Sequence, residues 1–305
     1  MDTRILEGRK IAREIQAEAA REVEELAERG IVPGLAVVLL GDDPASQVYV
    51  RNKVRTCREL GMHSEQYALP SETRNDELLS LIDRLNADNN IDGILVQLPL
   101  PEHIEEKAVL ERISPEKDVD GLHPVNVGRL VTGDYVLAPC TPVGILEMLR
   151  REGVAFKGAE AVVVGRSNIV GKPMALLLLH QHATVTICHS RTRRLAEVCR
   201  RADILVVAVG RPALITREYI REGAVVVDVG TNHLENEDDV RRLFGDSSPR
   251  LARFRERGSV LVGDVHPRDP LGIAAAVTPV PGGVGPLTIA QLMKNTVLAC
   301  RARRG

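Results

Sequence analysis

Residues 161–174 read AVVVGRSNIVGKPM, and the parsing of this stretch decides the fold. The apolar, β-branched run at 161–164 predicts a buried strand. Gly165-Arg166-Ser167-Asn168 makes a turn, and a helix follows through Met174 to about Leu179, with Gly171 and Pro173 in its first turns. A strand, a tight turn and a helix N-terminus together can hold a phosphate. The first N–H groups of the helix are unpaired there, and the helix dipole favours an anion. The dinucleotide fingerprint is G-x-G-x-x-G. Here Ser167 stands at the middle glycine and Gly171 comes one residue late. An ordinary strand-turn-helix in an α/β core has the same appearance, so both readings stand on these residues alone.

The next stretch separates them. TVTIC, residues 184–188, reads as a second strand. A Rossmann unit places its ribose contact about twenty residues beyond the first glycine, and an NAD-binding unit has Asp or Glu there. This chain has His189-Ser190-Arg191-Thr192, with no acid, an arginine and two hydroxyls. That set suits a ribose carrying a 2′-phosphate, so NADP is favoured over NAD. Two more apolar runs ending in glycine, ILVVAVG from Ile204 and AVVVDVG from Ala224, alternate with helical pattern. Alternation of this kind predicts a parallel sheet with right-handed crossovers.

A length of 305 residues allows two domains. The formal net charge of −2 and an aromatic content of 2% leave neither a basic footprint nor stacking platforms for nucleic acid. No apolar run approaches the roughly 18 residues of a membrane span. The N-terminal MDTRILEGRK lacks a signal-peptide core, so a cytoplasmic protein is expected. Five dispersed cysteines without a C-x-x-C pair predict reduced thiols and no metal site. The basic tail at 301–304 reads as solvated and frayed.

Residues 8–29 carry Ile11, Ile15, Val23 and Leu26 at helical spacing, and GLAVVLLG at 34–41 is a buried strand. Asp43-Pro44 opens a helix, with Asp as N-cap and Pro at the first position. On it, Val50, Val54 and Cys57 form an apolar stripe, and Ser46, Tyr49, Lys53 and Thr56 a polar stripe beside it. Tyr49 and Lys53 are four apart and therefore neighbours. A snorkelling lysine beside a half-buried tyrosine has this spacing. So does a partly desolvated lysine whose lowered pKa makes it a base near neutral pH. A helix is expected at 77–88, then a strand at 91–100, IDGILVQLPL, with the polar Gln97 in an apolar run. Gln97 either satisfies a neighbouring loop or points into a ligand cleft at the strand's carboxyl end.

A helix around 108–112 precedes a loop-like stretch at 114–130. Its Asp118 and Asp120 beside Gly121 are turn residues or carboxylates for a ligand's donors. Residues 138–142, APCTP, read as a domain junction, with a helix at 143–151 beyond. The charged segment 235–257 reads as irregular. TPVPGGVGPLT, 278–288, is a rigid glycine loop against which a flat ligand can lie, or an interdomain linker, before a last helix at 289–300.

PASQVYVRNK, GILVQLPLP, PEKDVDGLHPVN, PCTP, GRSNIVGKP, CHSRT, VDVG and TPVPGGVGP occur in this order over nearly the whole chain. The ordered set resembles the bifunctional methylenetetrahydrofolate dehydrogenase / methenyltetrahydrofolate cyclohydrolase family. The resemblance implies a two-domain α/β fold with a folate cleft between the domains. Residues 1–139 plus 287–305 would form the N-terminal substrate and catalytic domain, and 140–286 a C-terminal, Rossmann-like NADP-binding domain. It implies Lys53 as the central catalytic residue, Tyr49 as its companion, Gln97 to position it, and Asp120 to hold the pterin. Val96, Gln97 and Leu98 of the VQLP strand, with Pro281, Gly282 and Gly283, would line the folate site. Gly165, Arg166, Ser167 and Ser190, with Arg191, would contact NADP, and Thr231 would lie near the nicotinamide. A homodimer through the Rossmann domains, one-carbon metabolism and purine biosynthesis follow from the same resemblance. A dehydrogenase without cyclohydrolase activity and a silent nucleotide-binding protein on this fold are the alternatives. The intact set Tyr49, Lys53, Gln97 and Asp120 argues against the second. Two features depart from the family pattern, both away from the catalytic set: the long segment between Asn232 and Gly263, and His266 where an acid is usual.

Overall fold

A computed structural model describes residues 2–305 of the chain. They form eleven strands and eleven α-helices, numbered in chain order. The chain opens with β1 (Arg4–Ile5) and α1 (Gly8–Ala27), then β2 (Gly34–Leu40), α2 (Pro44–Glu59), β3 (His63–Leu69), α3 (Asn75–Ala87) and β4 (Gly93–Val96). Helices α4 (Glu106–Arg112), α5 (Pro124–Thr132) and α6 (Cys140–Arg151) follow. The alternation β5 (Glu160–Val164), α7 (Gly171–His180), β6 (Thr184–Cys188), α8 (Leu195–Cys199), β7 (Ile204–Val207) and β8 (Val225–Asp228) comes next. The chain ends through β9 (Asn232–Leu234), α9 (Glu237–Phe244), α10 (Pro249–Arg257), β10 (Val260–Val262), β11 (Ala276–Val277) and α11 (Val284–Arg304). None of the described helices is long and apolar enough to cross a membrane.

The chain divides into two compact units. One comprises Ala12–Cys140 and Thr288–Gly305, the other Thr141–Leu287 and the chain up to Ile11. The N-terminal segment thus departs from the expectation that 1–139 stay together. Arg4 N donates to Ala275 O at 3.0 Å and Leu6 N to Val277 O at 2.9 Å, which makes β1 the edge strand beside β11.

The Ala12–Cys140 unit is built on a three-stranded parallel sheet, β3-β2-β4. All seven residues of β2 are buried. Alternation divides them between two cores. Leu35, Val37 and Leu39 pack with Val23, Val50, Val54, Leu292 and Val297 of α1, α2 and α11. Ala36, Val38 and Leu40 pack with Leu78, Ile82 and Val109 of α3 and α4. A strand buried on both faces reads as a continuous apolar run, as GLAVVLL does. The central β2 has β3 on one side and β4 on the other. Its carboxyl end is therefore a switch point, where open α/β sheets form ligand sites.

The other unit carries a six-stranded sheet in the order β1-β11-β8-β7-β5-β6, parallel throughout. Here β5 lies between β6 and β7, so a second switch point falls at the turn after Val164.

Several local expectations are corrected. The strand expected at 91–100 stops at Val96, because Pro99 and Pro101 supply no ladder N–H. The loop-like 114–130 contains α5, capped by His123 Nδ1, which accepts from Val125 N at 3.1 Å, with Pro124 in its first turn. The last helix begins five residues early, at Val284, and continues through the tail expected to fray. Arg303 and Arg304 in its final turn pair with the fully buried Asp92. The segment expected to be irregular forms α9 and α10, which connect the antiparallel pair β9/β10 and pack on it over a core of Leu234, Val240, Leu243, Leu251, Val260 and Val262.

Candidate active site

Lys53 lies on α2, whose start is fixed by Asp43, which accepts from Ser46 N at 2.7 Å. The lysine is only 8% exposed. Its Nζ donates to Gln97 Oε1 at 2.9 Å, and Gln97 Nε2 donates to Leu98 O at 2.7 Å. The opposite amide orientation would set donor against donor and acceptor against acceptor, so the pair of bonds fixes it. Gln97 is the first residue beyond β4, and its N–H extends the ladder to Val38 O at 2.8 Å. Val96 is buried opposite Val38, and Leu98 is half-buried before a cis Pro99. Burial pushes the Lys53 pKa below the ordinary lysine value, while the charge of Asp120 pulls it upward. Tyr49, one turn earlier on α2, is 39% exposed.

Asp118 and Asp120 divide the two readings of their stretch. Asp118 is buried and accepts from His123 N and Asn126 Nδ2, both at 2.8 Å, so it is a turn residue. Asp120 is half-exposed and acts electrostatically on both Lys53 and Cys140.

Two neighbours of this group were not singled out from the sequence. Cys140 is buried and donates to Val119 O at 3.3 Å. Burial first, and then the Asp120 charge, push its thiol pKa well up, so it remains protonated. Asn295 of α11 donates to Val119 O at 2.8 Å and Ala138 O at 3.1 Å, and so ties together the backbone beside Asp120 and Cys140. The signal for Asn295 was a polar pair, Gln291 and Asn295, four apart on an apolar helix, joined by a 2.9 Å bond.

The remaining candidates belong to the six-stranded unit. Gly165 has φ +130°, and a Cβ there would lie 2.1 Å from Ala208 O. A Cβ at Gly171 would lie 2.3 Å from Gly165 O. Both positions therefore require glycine, although the spacing departs from the fingerprint. Ser167 Oγ accepts from Val170 N at 3.1 Å and Gly171 N at 3.3 Å, at the head of α7. Gly165 N donates to Cys188 O, which brings the ends of β5 and β6 together. Arg166, Ser167, Ser190 and Arg191 are all exposed at those ends. Two guanidinium groups, two hydroxyls and no carboxylate fit a dinucleotide bearing an extra phosphate. Thr231 is exposed two residues after Val229, whose N–H extends the β8 ladder to Val207 O.

Gly282, at φ +108°, and Gly283 follow a cis Pro281. Arg9 N donates to Gly282 O at 3.2 Å, and a Cβ on Gly8 would lie 1.7 Å from Gly283 O. Gly8 is thus a further glycine that the loop demands.

A model of the tetrahydrofolate dehydrogenase/cyclohydrolase catalytic domain matches residues 6–120, and one of the family's NAD(P)-binding domain matches residues 139–304. The chain belongs to the tetrahydrofolate dehydrogenase/cyclohydrolase family. It is 57% identical to the bifunctional protein FolD of Moorella thermoacetica, over 99% of this chain and all of that one. It is 56% identical to that of Koribacter versatilis, covering 99% and 98% of the two chains. Among solved structures, the bifunctional FolD of Campylobacter jejuni superposes with a TM-score of 0.89 at 41% identity, covering 99% of each chain. The Trypanosoma brucei FolD, complexed with NADP cofactor and inhibitor, gives 0.90 at 39% identity over the whole of both chains. As a family member, the chain is a bifunctional, NADP-dependent enzyme of one-carbon metabolism.

Proposed function

We propose that Lys53 is the acid-base group of this dehydrogenase/cyclohydrolase, that Gln97 holds its amine, and that Asp120 and the loop Pro281-Gly282-Gly283 bind the folate. The enzyme oxidises 5,10-methylenetetrahydrofolate to the methenyl form and hydrolyses that to 10-formyltetrahydrofolate. NADP supplies the hydride acceptor when bound. The oxidation needs orientation more than proton transfer. The hydrolysis differs: water attacks the bridging carbon, and one nitrogen must leave with a proton. An amine of lowered pKa can take the water's proton and return it to the leaving nitrogen. The observation that carries this reading is the buried Lys53, 2.9 Å from Gln97 at the switch point of the sheet.

The half-exposed Asp120 is suited to the donor edge of a pterin through charge-assisted bonds. Asp120→Asn is expected to raise the folate KM about ten- to hundredfold, as loss of a hydrogen bond to a charged group does, and to slow both reactions. The NADP KM should stay where it was. Unchanged folate KM would return Asp120 to a turn role. Arg191 is assigned to the 2′-phosphate. Arg191→Ala should raise the KM for NADP about tenfold or more while leaving that for NAD little changed. Equal effects on the two cofactors would remove the assignment.

We further propose a cytoplasmic homodimer formed through the Rossmann units and serving purine biosynthesis with its formyl product. All five cysteines are buried and unpaired, which suits a reducing compartment. Strand β6 is an open edge of the six-stranded sheet with Ile187 43% exposed, and such edges pair with another strand. A monomeric mass in sedimentation equilibrium would overturn the dimer.

A further inference from the structure

The α9/α10 segment has a core of its own, and one of its side chains leaves that core. Arg250, in the first turn of α10, donates through Nη2 to Val280 O at 2.5 Å and through Nη1 to Leu261 O at 3.4 Å. Val280 is the residue immediately before Pro281-Gly282-Gly283. The guanidinium lies 5.4 Å from the Phe244 ring centroid, within the range of a cation–π contact. Ser248 fixes the start of α10 by accepting from Arg250 N at 3.1 Å, with Pro249 next to it. The other side of the loop is held by α1, where Arg9 N donates to Gly282 O and Gly8 has no room for a Cβ. Arg250 also borders a cavity of about 360 Å³ whose walls include Phe244, His266, Arg268, Thr278 and Val280. The chain leading into the loop, Thr278 to Val280, therefore borders an open space, and a planar cation ties Val280 O to Leu261 O at the loop's entrance.

We propose that Arg250 is a positioning residue for the folate, acting through the Val280 carbonyl on the loop Pro281-Gly282-Gly283. This rests on the assignment of that loop to the folate. A planar fork suits the role, because it bonds two carbonyls at once while stacking on Phe244. Lysine can reach one carbonyl but cannot reproduce both contacts. The long segment, which departs from the family pattern, thereby acquires a function as the outer brace of the substrate loop.

Four variants of the full-length enzyme test the proposal, each assayed for both activities with NADP and folate varied separately. Arg250→Met is expected to raise the folate KM about tenfold, as the loss of one charge-assisted hydrogen bond does, with the NADP KM changed less than about twofold. Arg250→Lys should recover part of that loss. Arg255→Ala cuts the α9–α10 ion pair to Glu237 and leaves the guanidinium of Arg250 in place, so its folate KM should equal the parent's. Gly283→Ala alters the loop itself, since its Cβ would lie 2.7 Å from Pro279 O, and should raise the folate KM. A raised folate KM in Gly283→Ala with none in Arg250→Met would overturn the role of Arg250 and leave the loop assignment standing. No change in either variant would remove the loop assignment, and the proposal with it. Equal rises in Arg250→Met and Arg255→Ala would mean that any loosening of the segment suffices, which also overturns a specific role for Arg250.

Discussion

A Lys53→Met enzyme is expected to keep measurable dehydrogenase activity and to lose its cyclohydrolase activity, so that methenyltetrahydrofolate accumulates during turnover. Hydride transfer moves no proton, and losing the amine should slow it only as far as the substrate is misplaced. Hydrolysis has to move a proton from water to a leaving nitrogen, and general acid-base catalysis is typically worth about 10²–10⁴-fold. Methionine preserves the apolar stem among the neighbours of α2. The measurement is the decay of added methenyl substrate at its absorbance band. Decay at near the parent rate would place the base elsewhere.

The same lysine sets a pH dependence. Burial lowers its pKa from 10.5, so the parent's cyclohydrolase kcat/KM should rise with pH along a limb lying below that value. The dehydrogenase rate should lack this limb, and so should Lys53→Met. Asp120 raises the lysine pKa, so Asp120→Asn should move the limb to lower pH. Stability follows the opposite logic. A lysine whose folded pKa is lowered costs the native state fully below that folded value, and the cost fades as pH rises toward 10.5. Lys53→Met removes the cost, so its melting temperature at neutral pH should not fall. A large fall would mean that the loss of activity reports unfolding.

The parts of this architecture that could be read from sequence are those written in local periodicity. The run GLAVVLL, rich in valine and bounded by glycines, reads as a strand buried on both faces, and β2 divides its side chains between two cores as that implies. Tyr49 and Lys53, four apart beside an apolar stripe, and Gln97 in an apolar run were legible as polar groups at a core's margin. Their partners were not, because nothing local connects Cys140 to Asn295, which is 155 positions away. Helices α9 and α10 were hidden by charge, although their caps were in plain view. Asn236 accepts from Asp238 N at 2.8 Å, and Ser248-Pro249 opens α10. Val240, Leu243 and Phe244, then Leu251 and Phe254, mark their inner faces. In segments this short, two or three apolar residues suffice once a strand pair supplies the opposing face. Gly8 and Arg250 act on the loop from distant parts of the sequence, and no spacing rule reveals either.

The tail is where long-range pairing overrides local composition most strongly, and there the largest loss of stability is expected. Four residues with three arginines read as solvated, yet Asp92 turns the end of α11 into an anchor. Asp92 is fully buried and accepts from Gly34 N at 3.0 Å, Arg303 Nη1 at 2.7 Å and Arg304 Nε at 3.0 Å, with Arg304 Nη2 in close contact as well. The two arginines reach onward to Ile91 O at 3.0 Å and Val32 O at 2.7 Å, so the last turn of α11 is tied to the segments flanking β2 and β4. Their side chains are 15% and 25% exposed. Asp92→Ala would leave both guanidinium groups and the Gly34 N–H without the carboxylate, and breaking a buried pair in this way costs roughly 3–5 kcal/mol. Arg301→Ala is the matched control. Its partners Glu22 and Glu25 hold it at a position 47% exposed, where an ion pair contributes about 1 kcal/mol or less. Urea unfolding of the two variants beside the parent makes the comparison. A fall for Asp92→Ala no larger than that for Arg301→Ala would mean that the tail is as loose as its composition implies. A fall several times larger means that the Asp92 cluster, rather than helix propensity, ends the chain in an ordered helix.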